Sequence, residues 1–193
     1  MKRNLFISSI LAILLTGCFE IKPQKAKVID SEVEGLEYQC TGLIDYTDKN
    51  GTLECSHMPI AFLVGEIKLG IIYKIPKDGI ILPQDIVNVP RDKVYNKDVI
   101  KILTILQSLD SDKNPENGIQ ITKETRDKLS KLPVIDIKKY SLDEIKELIE
   151  TQIEDINFTR PKESILHLNR SMRRYNITKQ KLDETILNEL GID

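Results

Sequence analysis

Apolar positions along this chain change their spacing twice. Leu5 to Leu15 forms a nearly continuous apolar run behind Lys2 and Arg3. The run is too short to span a bilayer comfortably and has the layout of an export signal. Residues 18–33 are then polar and without periodicity, as expected of a tether. From Glu34 the texture alternates. Gly35-Leu36-Glu37-Tyr38-Gln39-Cys40 reads as a half-buried strand, and Asp48-Lys49-Asn50-Gly51 is a strong turn signal. Pro59 to Val64 and Ile67 to Tyr73 are two further strands, with Gly65-Glu66 between them suited to a tight hairpin. A small antiparallel unit over residues 34–90 is the expectation.

Helical spacing governs residues 91–193. Asn96 caps a helix to about Leu109 that is apolar on most sides, the pattern of a buried helix. Thr122 caps a short helix to Leu132. Ser141 and Glu144 form a capping box ahead of Leu142, Ile145, Leu148, Ile149, Ile153 and Ile156. Pro161 suits the first turn of a helix carrying Ile165, Leu166, Leu168 and Met172. A last amphipathic helix runs from Thr178 to Leu190 and stops at Gly191. The expected class is α+β: a β-rich N-terminal half, then a helical C-terminal half, with residues 34–193 forming one domain.

The end of the first apolar run changes how the rest is read. Leu15-Thr16-Gly17-Cys18 resembles the lipobox of bacterial lipoproteins, in which the cysteine thiol receives diacylglycerol, the signal is cut before it and the new amine is acylated. The resemblance implies lipidation of Cys18, membrane attachment through that lipid, and a place in the cell envelope. Phe19 stands where inner-membrane lipoproteins carry a retention aspartate, which implies the outer membrane in a Gram-negative host.

Removing residues 1–17 of the 193 leaves 176 residues and moves the formal charge from −2 to −4. An acidic balance argues against a general nucleic-acid binder. Six Tyr, four Phe and no Trp argue against a sugar-stacking platform. With Cys18 given to lipid, Cys40 and Cys55 remain as an even pair in an oxidising compartment, which reads as a disulfide; two free buried thiols are the alternative. Closing a loop of this size contributes about 3 kcal/mol. A two-residue turn at Asn50-Gly51 would set Cys55 opposite Tyr46 and not Cys40. The bond therefore closes an irregular loop, or the strand is interrupted near Thr41-Gly42.

Chemistry-bearing residues are few. Asp110, Asp112 and Asn114 alternate as oxygen donors and resemble the start of an EF-hand-type calcium loop, although Pro115 and Ile121 replace the motif's glycine and bidentate glutamate. The alternative is a polar connector after a buried helix. His57 and His167 lack a recognisable nucleophile setting, and His167, flanked by Leu166 and Leu168, reads as structural. Arg170, Arg173 and Arg174 share one helix side, to meet anionic groups or the protein's own glutamates. Asn50 and Asn157 lie in D-x-N-x-T sequences, the longer glycosylation sequon that resembles the one used by bacterial periplasmic systems.

Several pieces together resemble a module of proteobacterial secreted lipoproteins and surface proteins. They are Glu34-Gly35-Leu36-Glu37-Tyr38-Gln39-Cys40, Thr47-Asp48-Lys49-Asn50-Gly51-Thr52, Phe62-Leu63-Val64-Gly65 with Leu69-Gly70, Ile105 to Asp112 with Asn117-Gly118-Ile119, and His167-Leu168. The similarity covers most of residues 33–169. It implies surface display and no reaction. Three readings follow: a non-enzymatic binding or interaction module, steadied by calcium and meeting an envelope protein or extracellular ligand; a small hydrolase using carboxylates in a cleft; and a structural lipoprotein of envelope assembly.

Overall fold

The computed structural model describes residues 22–182, 184–189 and 191–192. Cys18, the signal and the start of the tether lie outside the described residues. The chain order is β1 (Gln24–Val28), β2 (Val33–Glu34), β3 (Glu37–Cys40), β4 (Leu43–Tyr46), β5 (Thr52–Cys55), β6 (Ile60–Val64), β7 (Ile67–Ile72) and β8 (Ile80–Ile81), then α1 (Pro83–Val87) and α2 (Lys97–Ser108). It continues with β9 (Ile119–Gln120), α3 (Lys123–Leu129), β10 (Ile135–Asp136), α4 (Leu142–Glu150), α5 (Pro161–Arg174) and α6 (Glu184–Glu189). The fold is α+β, with the antiparallel sheets in the N-terminal half and helices concentrated in the C-terminal half.

Strand β1 corrects the tether expected over residues 18–33. Lys25-Ala26-Lys27-Val28 alternates, and its two lysines disguise a strand whose Ala26 and Val28 are buried. β1 lies at the centre of a three-stranded sheet, antiparallel to β5, where Gln24 faces Cys55, and parallel to β8, where Val28 faces Ile81. Ile29, Asp30 and Ser31, in the same expected tether, are wholly buried.

The second sheet runs β10-β7-β6-β3-β4. The Gly65-Glu66 hairpin forms as the spacing predicts, Val64 facing Ile67. Gly65 adopts φ +56°, and a Cβ there would lie 2.5 Å from the Leu129 carbonyl carbon, so α3 packs where only glycine fits. β3 turns at Thr41-Gly42 into β4, leaving Cys40 opposite Leu43. The Asn50-Gly51 turn makes no hairpin between β4 and β5. Asp48 Oδ1 accepts from the N–H groups of Asn50 (2.8 Å) and Thr52 (2.7 Å), turning the chain towards β1. Cys40 and Cys55 thus stand on different sheets, and their disulfide spans them with a Cα–Cα distance of 6.4 Å.

The helical half also contributes strands: β9 pairs with β2 and β10 with β7, both parallel. Asn96 caps α2 by accepting from Asp98 N–H at 2.9 Å, and α2 is buried on most sides within one apolar core. The Ser141–Glu144 capping box starts α4, but that helix ends at Glu150, before Ile153 and Ile156. Thr178–Leu182 is not helical as expected. The Asn169 side chain ties that irregular segment to α5, donating to Gln180 O and accepting from Leu182 N–H, both at 3.0 Å. Gly191, at φ +67°, follows α6 with its N–H on Asn188 O. No described helix is long and apolar enough to cross a membrane.

Candidate functional site

Helix α5 repeats small or polar residues at Ser164, His167 and Ser171, one helical face. That face is buried against Asp30 and Ser31 of the β1–β2 connection and against Gln107 of α2. Gln107 Nε2 donates to Asp30 Oδ2 at 2.9 Å and to the Ser164 carbonyl at 3.2 Å. Ser31 Oγ lies 3.1 Å from His167 Nε2 and 3.5 Å from Ser171 Oγ. On its other side, His167 Nδ1 is 3.3 Å from Glu116 Oε1. With Nδ1–H donating to that carboxylate, Nε2 accepts the Ser31 hydroxyl proton. Glu116 also accepts from Arg170 Nε at 2.8 Å and from Arg174 at 3.4 Å, so two of the three candidate arginines pair with the protein's own acid. Arg173 is exposed and does not join them in that contact.

Burial sets the protonation states in this seam. It holds the Asp30 carboxyl well above the usual carboxylate range, against the opposing hydrogen bond from Gln107. Asp30 Oδ1 and Gln107 Oε1 have no hydrogen-bond partner among the described residues. Protonation turns one Asp30 oxygen into a donor, which a buried carboxylate lacks. Burial also lowers the His167 pKa, outweighing the upward pull of Glu116. Glu116 itself is pushed up by burial, but its bonds with Arg170 and His167 win and its pKa falls below the ordinary value. At the end of α5, Tyr175 OH donates to the Glu32 carboxylate; burial and that acceptor push the phenol up to about 12.

Beside the seam a groove of about 440 Å³ opens, lined by Gln107, Lys113, Phe158, Arg160, His167 and Arg170 among others. It is concave and of small-molecule size. Ser31 and His167 are 0% and 1% exposed. The hydrogen-bonded Ser31–His167 pair is therefore enclosed.

Glu116 sits in a one-turn 3-10 segment, Pro115–Asn117, within the loop that carries the calcium candidates. Asp110 is buried and accepts from the N–H groups of Gln120 and Asn114, both at 2.9 Å. Asp112 accepts from Asn114 N–H at 2.9 Å and from Asn117 Nδ2 at 2.8 Å. Asn114 is thus tied to both aspartates through its backbone. Burial raises the Asp110 pKa, and the Asn117 hydrogen bond lowers that of Asp112. A second cavity of about 200 Å³ gathers Glu32, Glu34, Asp110 and Asp112 with Lys49. Among the described residues, no three His, Cys, Asp or Glu side chains form a metal-ligand group. Asn50 and Asn157 are both exposed on loops remote in sequence.

Asp30, Ser31 and Gln107 were not candidates on sequence grounds, and Glu116 was one only as a further oxygen donor to the calcium loop. The first two fell in the expected tether, and the alternation around Ala26 and Val28 is the signal that places them inside. No family model, curated protein or solved structure matches this chain.

Proposed function

We propose that this chain is a lipid-anchored envelope module that binds or interacts and performs no turnover. The observation that carries the reading is the enclosure of Ser31 and His167: this hydrogen-bonded serine–histidine pair has almost no surface to offer a substrate. Its residues hold the Asp30 segment, the Glu116 loop and α5 together, which leaves the adjoining groove a fixed shape. Anchoring rests on Leu15-Thr16-Gly17-Cys18, and Cys18→Ser should release the protein from membranes into the soluble fraction. Retention of that variant in the membrane overturns the anchor.

We extend the proposal to a calcium ion at the loop of Asp110, Asp112 and Asn114. Each carboxylate oxygen accepting one N–H retains capacity for another partner, and the neighbouring cavity is acidic. Millimolar calcium should raise the melting temperature of the chain starting at Lys22, and Asp110→Ala with Asp112→Ala should abolish the rise. A wild-type melting temperature unmoved by calcium removes the metal from the reading.

One observation favours a second reading. Ser31, His167 and Glu116 stand in the order of a nucleophile, base and orienting carboxylate, the arrangement of acyl-transfer hydrolases. A fluorophosphonate probe distinguishes the two. The binding module leaves Ser31 unlabelled, whereas labelling that disappears in Ser31→Ala makes the protein a hydrolase.

A further inference from the structure

We infer that the end of the five-stranded sheet carrying Leu43, Ile44, Ile71 and Tyr73 docks on the lipid surface to which Cys18 is tied. The inference rests on the anchored reading above and adds an orientation to it. Six large hydrophobic side chains are exposed among the described residues, and four of them gather at this end. Ile44 is 65% exposed and Tyr73 68%. Pairing register brings them together: Ile44 faces Gln39, Gln39 faces Ala61, and Ala61 faces Ile71, with Tyr73 just past the end of β7. Leu43 faces Cys40 one register away.

The chain enters the fold at the same place. Gln24 faces Cys55, Cys55 is bonded to Cys40, and Cys40 faces Leu43. Only Phe19 to Pro23 separate Cys18 from Gln24. Fully extended, that link reaches on the order of 20 Å. A folded chain of this length has a radius of gyration of roughly 15 Å and hence a diameter of roughly 40 Å, so the link is shorter than the body it holds. An anchor at Cys18 therefore keeps this edge towards the bilayer. Exposed Lys22 and Lys74 add attraction for anionic headgroups, and Tyr73 has the amphipathic ring suited to the interface. A second copy adding to strand β4 is the poorer occupant, because Asp45 places a charge in the middle of that edge.

The chain lacks Trp, so a single introduced indole reports its own surroundings. Ile44→Trp and Tyr73→Trp probe the docking end. Val134→Trp, on an exposed position beside Ile135, probes the opposite end, where Ile135 faces Ile67. The β7 strand puts roughly 20 Å between the two ends. Full-length lipidated protein is reconstituted into vesicles of phosphatidylethanolamine and phosphatidylglycerol with brominated acyl chains. Quenching at positions 44 and 73 should exceed that at 134 by several-fold. Equal quenching at all three positions on protein whose Cys18 is lipidated by mass overturns the docking while leaving the anchor standing. A blue-shifted but unquenched indole at position 44 also overturns it, by showing a protein partner on the patch. An unmodified Cys18 in the membrane-purified protein overturns the anchor, and the docking with it.

Discussion

Val28, Ile29, Asp30 and Ser31 are four consecutive residues, each 0% exposed, yet the two pairs are buried by opposite means. Val28 and Ile29 enter a continuous apolar core and take strand-type backbone bonds: Val28 N–H to Gly51 O at 2.8 Å, and Ile29 N–H to Ile81 O at 2.9 Å. Asp30 and Ser31 enter a seam of side chains, where Asp30 Oδ2 and Ser31 Oγ meet partners placed by other elements while Asp30 Oδ1 meets none. Apolar burial is non-directional and tolerates small displacements. Polar burial succeeds only when geometry is met, because an unpartnered buried group costs more than a satisfied one contributes.

Legibility divides along the same line. Helix α2 was readable because its signals are local: Asn96 accepting from Asp98 N–H, and apolar residues at successive turns. The Ser141–Glu144 box and the Gly65-Glu66 hairpin were readable for the same reason. The seam was not. Asp30 meets Gln107 across 77 residues, Ser31 meets His167 across 136, and the Asp30 carbonyl meets Ser171 across 141. No periodicity encodes such pairs. His167 was visible as a residue on a half-apolar helix, but not its partners. The disulfide lies between these cases: its pairing was legible from the even pair of cysteines left once Cys18 is set aside, whereas its bridging of two sheets needed the register of β1.

The largest effect should come from the apolar member of the comparison. Ile29→Ala removes a wholly buried side chain from the core and should lower unfolding free energy by about 4 kcal/mol. Urea unfolding at pH 7.5 measures it. A loss under about 1 kcal/mol would mean that this segment does not belong to the core. Next, Cys40→Ala with Cys55→Ala tests the staple joining the sheets at the entry end of β1. The chain-entropy account gives about 3 kcal/mol, and the reduced wild type should lose a similar amount. Intact stability after reduction would show that β1 and the five-stranded sheet hold together without it.

The polar pair should respond to pH where the apolar pair does not. His167 is lowered from its ordinary 6.5, so the folded state prefers the neutral ring. Its contribution is present above about pH 6.5 and is lost as pH falls through the folded value. Asp30 is raised above its ordinary 3.8, so the folded state prefers the neutral acid. That contribution is present below pH 3.8 and is lost as pH rises through the folded value. His167→Gln should therefore flatten the acid-side loss of melting temperature, and Asp30→Asn should flatten the opposing one. Two variants with the wild-type pH profile would show that neither group titrates in the fold.

Glu116→Gln should have the smallest effect on stability and the clearest one on the seam's electrostatics. The Glu116 side chain is 45% exposed, and exposed ion pairs contribute under about 1 kcal/mol, so its bonds to Arg170 and Arg174 weigh little in the total. Its bond to His167 differs because the imidazole is enclosed and its field is less screened. Glu116 pulls the His167 pKa upward against burial. Removing that charge should lower the His167 midpoint further, so the acid-side loss of stability still begins near pH 6.5 but runs deeper and extends to lower pH. The chain has two histidines, so imidazole proton resonances followed by NMR assign His167 by comparison with His57→Gln. A midpoint that stays in place would break the link between the exposed loop and the enclosed Ser31–His167 pair. Such a result would leave Asp30 and Ser31 buried by α5 and α2 alone, independent of anything at the surface.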